Sequence, residues 1–392
     1  TLSSSSAASD VYKRQLNGSN GISNNTILSL FEDQNKNLWL GLDNGIDCIN
    51  VDSPFSEYND NIGKIGAVYA SAKRGDYFYL GTNHGLYYRV KDGEEDLKMI
   101  EGTEGQVWNL SNLDGDLFCG HDLGTFYVHD SKAIKISDVA GAWIFKKHPK
   151  SDDLLLQGNY NGIHVLQKQN NQWQYKNKLS GFNISSRFFE VVNDSTLLVG
   201  HEYKGVFRLS INSSFNRVIR TEMDTSVEKG VHAGLAKFDD EIFYFSPKGI
   251  FKYEAEQLKF LKDSQLSTKI KPEDYLTGKM INDDNGRLWM FSKNRIHFLR
   301  REVFSEELKF ESVFFENNTR KNVLGFEHIS KYDNSKYLIA SGVGYLLLDR
   351  DKIKNIQPRI AIDNIVVKDN FQNLMQIPLK NDIELDFERN SI

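Results

Sequence analysis

A pair of glycines recurs along this chain at a step of about forty residues. Its plainest form is Asn37-Leu38-Trp39-Leu40-Gly41-Leu42-Asp43-Asn44-Gly45-Ile46. An apolar run, Thr26-Ile27-Leu28-Ser29-Leu30-Phe31, and a polar turn, Glu32-Asp33-Gln34-Asn35-Lys36, come before it. The first glycines of successive units fall at 41, 81, 120, 158 and 200, giving steps of 40, 39, 38 and 42. Several short strands per unit at this period leave few folds open. One unit is a small twisted sheet that cannot bury both of its faces alone. Units therefore stack, and a closed ring of them has no open end, so the expectation is an all-β chain forming a β-propeller. The first glycine of each pair ends a strand where neighbouring blades crowd and a Cβ would clash. The second follows a tight turn, where positive φ is favoured. No helical pattern follows any of these glycines, which argues against phosphate-binding loops.

With 392 residues the chain has material for two or three ordinary domains. Its 25 Phe and 17 Tyr favour sheets over helices. A formal net charge of -5 argues against a nucleic-acid surface. No apolar run is long enough to span a bilayer. Cys48 and Cys119 lie in repeats that are not adjacent, so two buried thiols are expected rather than a disulfide.

Residues 1–15 stand outside the pattern. They resemble an adapter-derived translation, and the native protein is expected to continue upstream of them. The first repeat, within 16–53, is expected to be the last blade of a preceding propeller, because Asp52-Ser53-Pro54 breaks the rhythm after it. Seven repeats then occupy 54–352 and are expected to close into a seven-bladed propeller. In the last three, Ser246, Ser292 and Ser341 are read as replacing the first glycine. The eighth repeat has an inner strand expected near 322–329 but no outer strand of its own, since Pro358 turns the chain away. An unpaired edge is a liability. The alternating Phe55-Ser56-Glu57-Tyr58-Asn59 is therefore expected to pair with 344–349 and clasp the ring. From 358 to 392 the pattern reads as the start of a β-sandwich.

The unit from Glu32 to Ile46 resembles the two-component-regulator propeller repeat. The tail Glu384-Leu385-Asp386-Phe387-Glu388-Arg389-Asn390-Ser391-Ile392 resembles the opening of the triple-tyrosine domain that follows such propellers. Together they are similar to the sensor part of flavobacterial regulators with a LuxR-type helix-turn-helix output, and to the related hybrid histidine kinases. The resemblance implies the periplasmic part of an inner-membrane protein, anchored through a helix downstream of Ile392. It also leaves room for a dimer through the downstream sandwich. The function it implies is an extracytoplasmic sensor of a glycan or other polar ligand. A protein-interaction scaffold and a propeller hydrolase or lyase are the alternatives.

No Gly-x-Ser-x-Gly elbow, His-Glu-x-x-His motif or cysteine cluster is present, so neither a catalytic residue, a metal site nor a cofactor is expected. Asn282-Asp283-Asp284-Asn285-Gly286 aligns with the turn at 32–37 and reads as a hairpin, not a calcium loop. Asp152-Asp153 and Asp239-Asp240 read as solvated turn residues. Between the paired glycines, histidine, asparagine and tyrosine recur. His121, Asn159, Tyr160, His201 and Tyr203 are candidates for a polar-ligand rim, because aromatic faces with amide and imidazole groups suit an oligosaccharide. Arg187 is a candidate for holding an anionic group near the channel, with a salt bridge between blades as the equal alternative, and is read as equivalent to Gln106. Trp39, Trp108, Trp143 and Trp289 are assigned to the core.

Overall fold

The hairpin turns show first why these residues fold as they do. Asp33 accepts hydrogen bonds from the amides of Asn35 and Asn37 at 2.8 and 2.9 Å and from the Trp39 indole at 2.9 Å. Asp283 does the same for Asn285, Arg287 and Trp289, at 2.8, 3.0 and 2.8 Å. One carboxylate thus ties the turn to the second strand, so the Asn282–Gly286 segment is a hairpin. In the computed structural model the described residues are 22–60, 63–90, 97–302, 307–315, 320–353, 365–368 and 374–377. The leader at 1–15 and the tail at 384–392 lie outside them.

The chain divides into two units, 1–352 and 353–392. Within the first, seven sheets each have four antiparallel strands. Their inner strands are Val68–Arg74, Val107–Leu113, Ile144–His148, Phe188–Asn193, Gly234–Phe238, Tyr275–Asn282 and Ile329–Lys331. Each inner strand touches the one in the next sheet or is joined to it by apolar clusters, and the last sheet packs on the first around Val68, Leu80, Leu338 and Tyr345. At the inner edge the Ser71 amide donates to His328 Nε2 at 3.0 Å, and the Ser71 and Ser330 hydroxyls are 2.6 Å apart. The sheets therefore close on themselves as propeller blades.

Six of the sheets are built from consecutive strands. The seventh takes its outer strand from the far end of the chain. Phe55–Asn59 pairs antiparallel with Gly344–Leu348, in the register Phe55 to Leu348 and Asn59 to Gly344. Tyr58 stacks on Tyr345 at 4.8 Å and Phe55 on Phe315 at 3.9 Å. The edge of the last blade is thereby covered. The inner strand of that sheet begins at Ile329, later than expected, because the chain before it turns, with the Phe326 amide donating to the Val323 carbonyl at 2.9 Å.

A further sheet, Ile27–Glu32, Asn37–Leu42 and Gly45–Asn50, has three strands and pairs with none of the seven. Its small core is Ile22, Leu40 and Leu42, while Leu28, Leu30, Phe31 and Ile46 are exposed. Trp39 is half-exposed here rather than core, and Cys48 is exposed on the same sheet, while Cys119 is buried in the ring. In the second unit Ile365–Lys368 pairs antiparallel with Leu374–Ile377.

Blade crowding explains the first glycines. A Cβ at Gly158 would lie 2.0 Å from the Ser186 carbonyl oxygen of the next blade. The strand registers also correct one reading. Residues opposite the first glycine's place in the second-to-third hairpin show that Phe245, Phe291 and Ala340 occupy it in the last three blades. Ser246, Ser292 and Ser341 stand one residue later, level with Thr82, His121, Asn159 and His201. After Phe245 the small residues are supplied by the following strands: a Cβ at Gly278 would meet the Phe245 oxygen at 2.2 Å.

Candidate functional site: the ring's central cavity

Antiparallel blades fix which loops share an end of the ring. Turns between first and second strands lie at one end. Hairpins between second and third strands lie at the other, with the connections that lead into the next inner strand. The polar residue before the second-to-third hairpin has a local task. Thr82 Oγ1 accepts from the His84 and Gly85 amides at 3.0 and 3.2 Å. His121 Nδ1 accepts from Leu123 at 3.0 Å, and His201 Nδ1 from Tyr203 and Lys204 at 3.1 and 3.3 Å. Ser246 and Ser341 accept from Lys248 and Val343 in the same way. This position needs a short side-chain acceptor, and that need explains why Thr, His and Ser recur there.

The expected rim is accordingly divided. His121 is fully buried, and its Nε2 faces the Thr103 carbonyl at 3.2 Å. Asn159 is also fully buried, donating to Val139 and Ala140 carbonyls and accepting from Gln157 at 2.7 Å. Neither side chain is presented to solvent. His201 is partly buried, with burial pushing its pKa down, and Tyr203 stands exposed beside it with the rings 6.2 Å apart. Tyr160 joins a different group: its hydroxyl accepts from the Trp108 indole at 3.0 Å and its ring meets Trp143 edge-on at 5.2 Å. Gly141, at φ +71°, lies under that ring, where a Cβ would sit 2.2 Å from it.

Arg187 pairs with Glu202 and donates to the Gly325 carbonyl, while its guanidinium lies over the rings of Trp143 and Phe326 at 4.9 and 4.4 Å. A salt bridge is thus present, within one blade rather than between blades, and the Arg187 side chain also lines the central cavity described below. Its equivalence with Gln106 is corrected. Ala70, Asn109, Ile144 and Phe188 lie opposite the first glycines, so the residues before them, Tyr69, Trp108, Trp143 and Arg187, hold one position in four successive blades.

Those side chains build a layer across the ring. Tyr69 lies 5.6 Å from Trp108, Trp108 lies 4.9 Å from Trp143, and Phe326 lies 4.8 and 5.2 Å from Tyr69 and Trp108. Beside this layer is a cavity of about 780 Å³ lined by residues of all seven inner strands. It extends toward the first-to-second turns, where Lys73, Asn112, Asp284 and Asn334 border it. The wall carries Ser71, Asn109, Ser111, Lys279 and the Lys146–Glu190 pair, whose ions are 2.7 Å apart. Burial, and then the Arg187 charge, hold Lys279 down to about 7. Glu327 beside it is almost wholly buried, and burial raises its pKa. Trp108 and Trp143 are therefore cavity residues and Trp289 alone of the ring tryptophans named is sealed in the core. The signal that could have found them is their common position one residue before the strand faces its glycine. Among the described residues no group of three His, Cys, Asp or Glu side chains could hold a metal ion.

A volume of this size with aromatic faces and a few polar groups suits a small polar molecule. Residues 21–44 match the two component regulator propeller model. The structure resembles the extracellular domain of the hybrid two component system BT3049 from B. thetaiotaomicron, with TM-score 0.59 and 15% identity over 92% of this chain and 51% of that one. It also resembles the extracellular domain of the hybrid two component system BT4673 from the same organism, with TM-score 0.52 and 16% identity over 94% and 52%. PorZ, a surface component of the type-IX secretion system of Porphyromonas gingivalis, matches with TM-score 0.52 and 12% identity over 76% and 39%. The chain thus spans about half the length of the two extracellular domains. No curated protein matches significantly. At these identities the likeness is one of fold: the chain is a β-propeller that carries the regulator repeat.

Proposed function

We propose that this chain is the sensor region of a signal-transduction protein and that its ligand seat is the central cavity. The carrying observation is the layer of Tyr69, Trp108, Trp143 and Phe326 beside a cavity bordered by every inner strand. A ligand there would touch all seven blades at once, so its binding energy would act on the packing of the whole ring. The repeat match and the resemblance to extracellular domains of regulators support the sensor class. On this reading the propeller is periplasmic, the three-stranded sheet is a blade of a preceding propeller, and the triple-tyrosine sandwich carries the change to a membrane helix. The output is a helix-turn-helix or a kinase lying downstream. No helix among the described residues is long and apolar enough to cross a membrane.

The ligand class is a small polar molecule or oligosaccharide, stacked on the indoles as flat sugar faces stack on aromatic rings. Calorimetry against a panel of oligosaccharides tests it. Trp108→Ala and Trp143→Ala should weaken binding at least tenfold, whereas Tyr203→Ala should leave it unchanged. Loss of binding in Tyr203→Ala with retention in both tryptophan variants would move the seat to the opposite rim and overturn the reading.

A further inference from the structure

The cations around the cavity are accounted for except one. Lys146 is paired with Glu190, Arg187 with Glu202, and Lys331 donates to Asn285 at 3.2 Å. Lys73 lies over the Tyr332 ring at 4.7 Å. The Lys279 ammonium makes no hydrogen bond or ion pair among the described residues, and Glu202 and Glu327 act on it only at a distance. Its position is built, not incidental. The pairing of its strand with Arg287–Ser292 is irregular between Tyr275 and Met280. Gly278, pressed against the Phe245 carbonyl, admits no side chain at that point. Such an irregularity re-aims the next residue, and Lys279 lines the cavity as a result.

An unpaired ammonium inside a ring is unfavourable for stability unless something supplies the counter-charge. No described carboxylate is in contact with it, and Glu202 and Glu327 supply counter-charge only from a distance. Glu327 places its Oε1 on the Asn322 amide at 3.1 Å and the Gly325 N–H at 3.0 Å, and its Oε2 has no partner. We propose that Lys279 anchors the anionic group, carboxylate or sulfate, of a small ring-bearing ligand whose ring lies against the indoles of Trp108 and Trp143. This rests on the cavity being the ligand seat and adds the ligand's charge.

A consequence follows for protons. Lys279 titrates near neutrality in the free protein because burial and Arg187 disfavour its charge. An anion beside it favours the ammonium, so binding takes up protons, and affinity falls as pH rises above 7. The other groups facing Lys279 are the Arg187–Glu202 pair, Glu327 and His328. Burial keeps His328 neutral, so it does not titrate between pH 6 and 9.

The test is calorimetry on the full chain with three probes: 4-nitrophenyl β-D-glucuronide, 4-nitrophenyl β-D-glucoside, and the 6-sulfate of N-acetylglucosamine. The wild type should bind the glucuronide or the sulfate at least tenfold more tightly than the glucoside at pH 7, with proton uptake seen between buffers of different ionisation enthalpy. Lys279→Met should abolish that preference and the uptake, and Lys279→Arg should keep the preference. The stronger of the two anions identifies carboxylate or sulfate. The melting temperature of Lys279→Met should be unchanged or higher, since an unpaired charge is removed. Binding of the glucoside by the wild type as tightly as both the glucuronide and the sulfate overturns the anion anchor and leaves the seat. Binding of none of the probes overturns both. A fall of several degrees in Lys279→Met shows that Lys279 balances Glu327 and overturns the proposal.

Discussion

Weakening the clasp should loosen the ring at one identifiable place. Phe55–Asn59 is held to Gly344–Leu348 by a five-residue ladder and by the stack of Tyr58 on Tyr345, and to the preceding blade by the stack of Phe55 on Phe315. The double change Phe55→Ala with Tyr58→Ala removes both stacks. An aromatic pair is worth roughly 0.5–1.5 kcal/mol beyond its area, and each half-buried ring contributes about 1 kcal/mol of apolar burial. The sum is about 3–5 kcal/mol. Unfolding entropy for a ring of about 300 residues is roughly 0.6 kcal/mol per degree, so the melting temperature should fall by about 5–8 °C. The decisive readout is local. Every other outer strand is joined to its blade by its own hairpin, and this one is not. Hydrogen exchange should therefore accelerate over 344–349 in the double variant. Trp173→Ala, which removes an outer-strand ring packed on Phe118 at 5.3 Å, should not have that effect. Unchanged exchange at 344–349, with a melting temperature within a degree of wild type, would refute the reasoning.

Other outcomes are expected from particular contacts. Gly158→Ala sets a Cβ against the Ser186 carbonyl and should cost about 2 kcal/mol or more, whereas Gly286→Ala meets nothing within 4 Å and should cost about 1 kcal/mol for its φ of +67°; chemical denaturation distinguishes them. Asp283→Ala leaves two amides and an indole without their acceptor and should lose about 1–3 kcal/mol, against no measurable loss for the neighbouring exposed Asp284→Ala. His164 and His297 are buried, and burial holds both down to about 4. The unfolded chain binds their protons first as pH falls, so stability should be full above about 6.5 and decline toward pH 4, by roughly 3 kcal/mol for each group. A melting temperature that stays flat between pH 6.5 and 4 would contradict this.

The sequence alone determined the repeat, the all-β class and the clasp. A forty-residue period, paired glycines and an unpartnered last edge are local or counting properties, and each forces a geometric consequence. It also determined the Asp33 and Asp283 turns, where one carboxylate and the residues within six positions of it make the whole structure. Tertiary structure decided what the polar residues do. His121 and Asn159 look like ligand groups when loop residues are read along the chain, but the ring buries them and turns the His121 ring and the Asn159 amide nitrogen onto the backbone. Arg187 looks like a free cation near the channel until Glu202, from the neighbouring hairpin, pairs with it. Trp108 and Trp143 read as core because tryptophan is apolar; only closure of seven inner strands around one axis brings them beside Phe326, more than 180 residues later, and makes them a wall of a cavity. The shift of the small residue from Gly200 to Gly234 and Gly278 was hidden for the same reason. Crowding between blades is a property of pairs of strands distant in the chain, and no single repeat records which partner will yield the space.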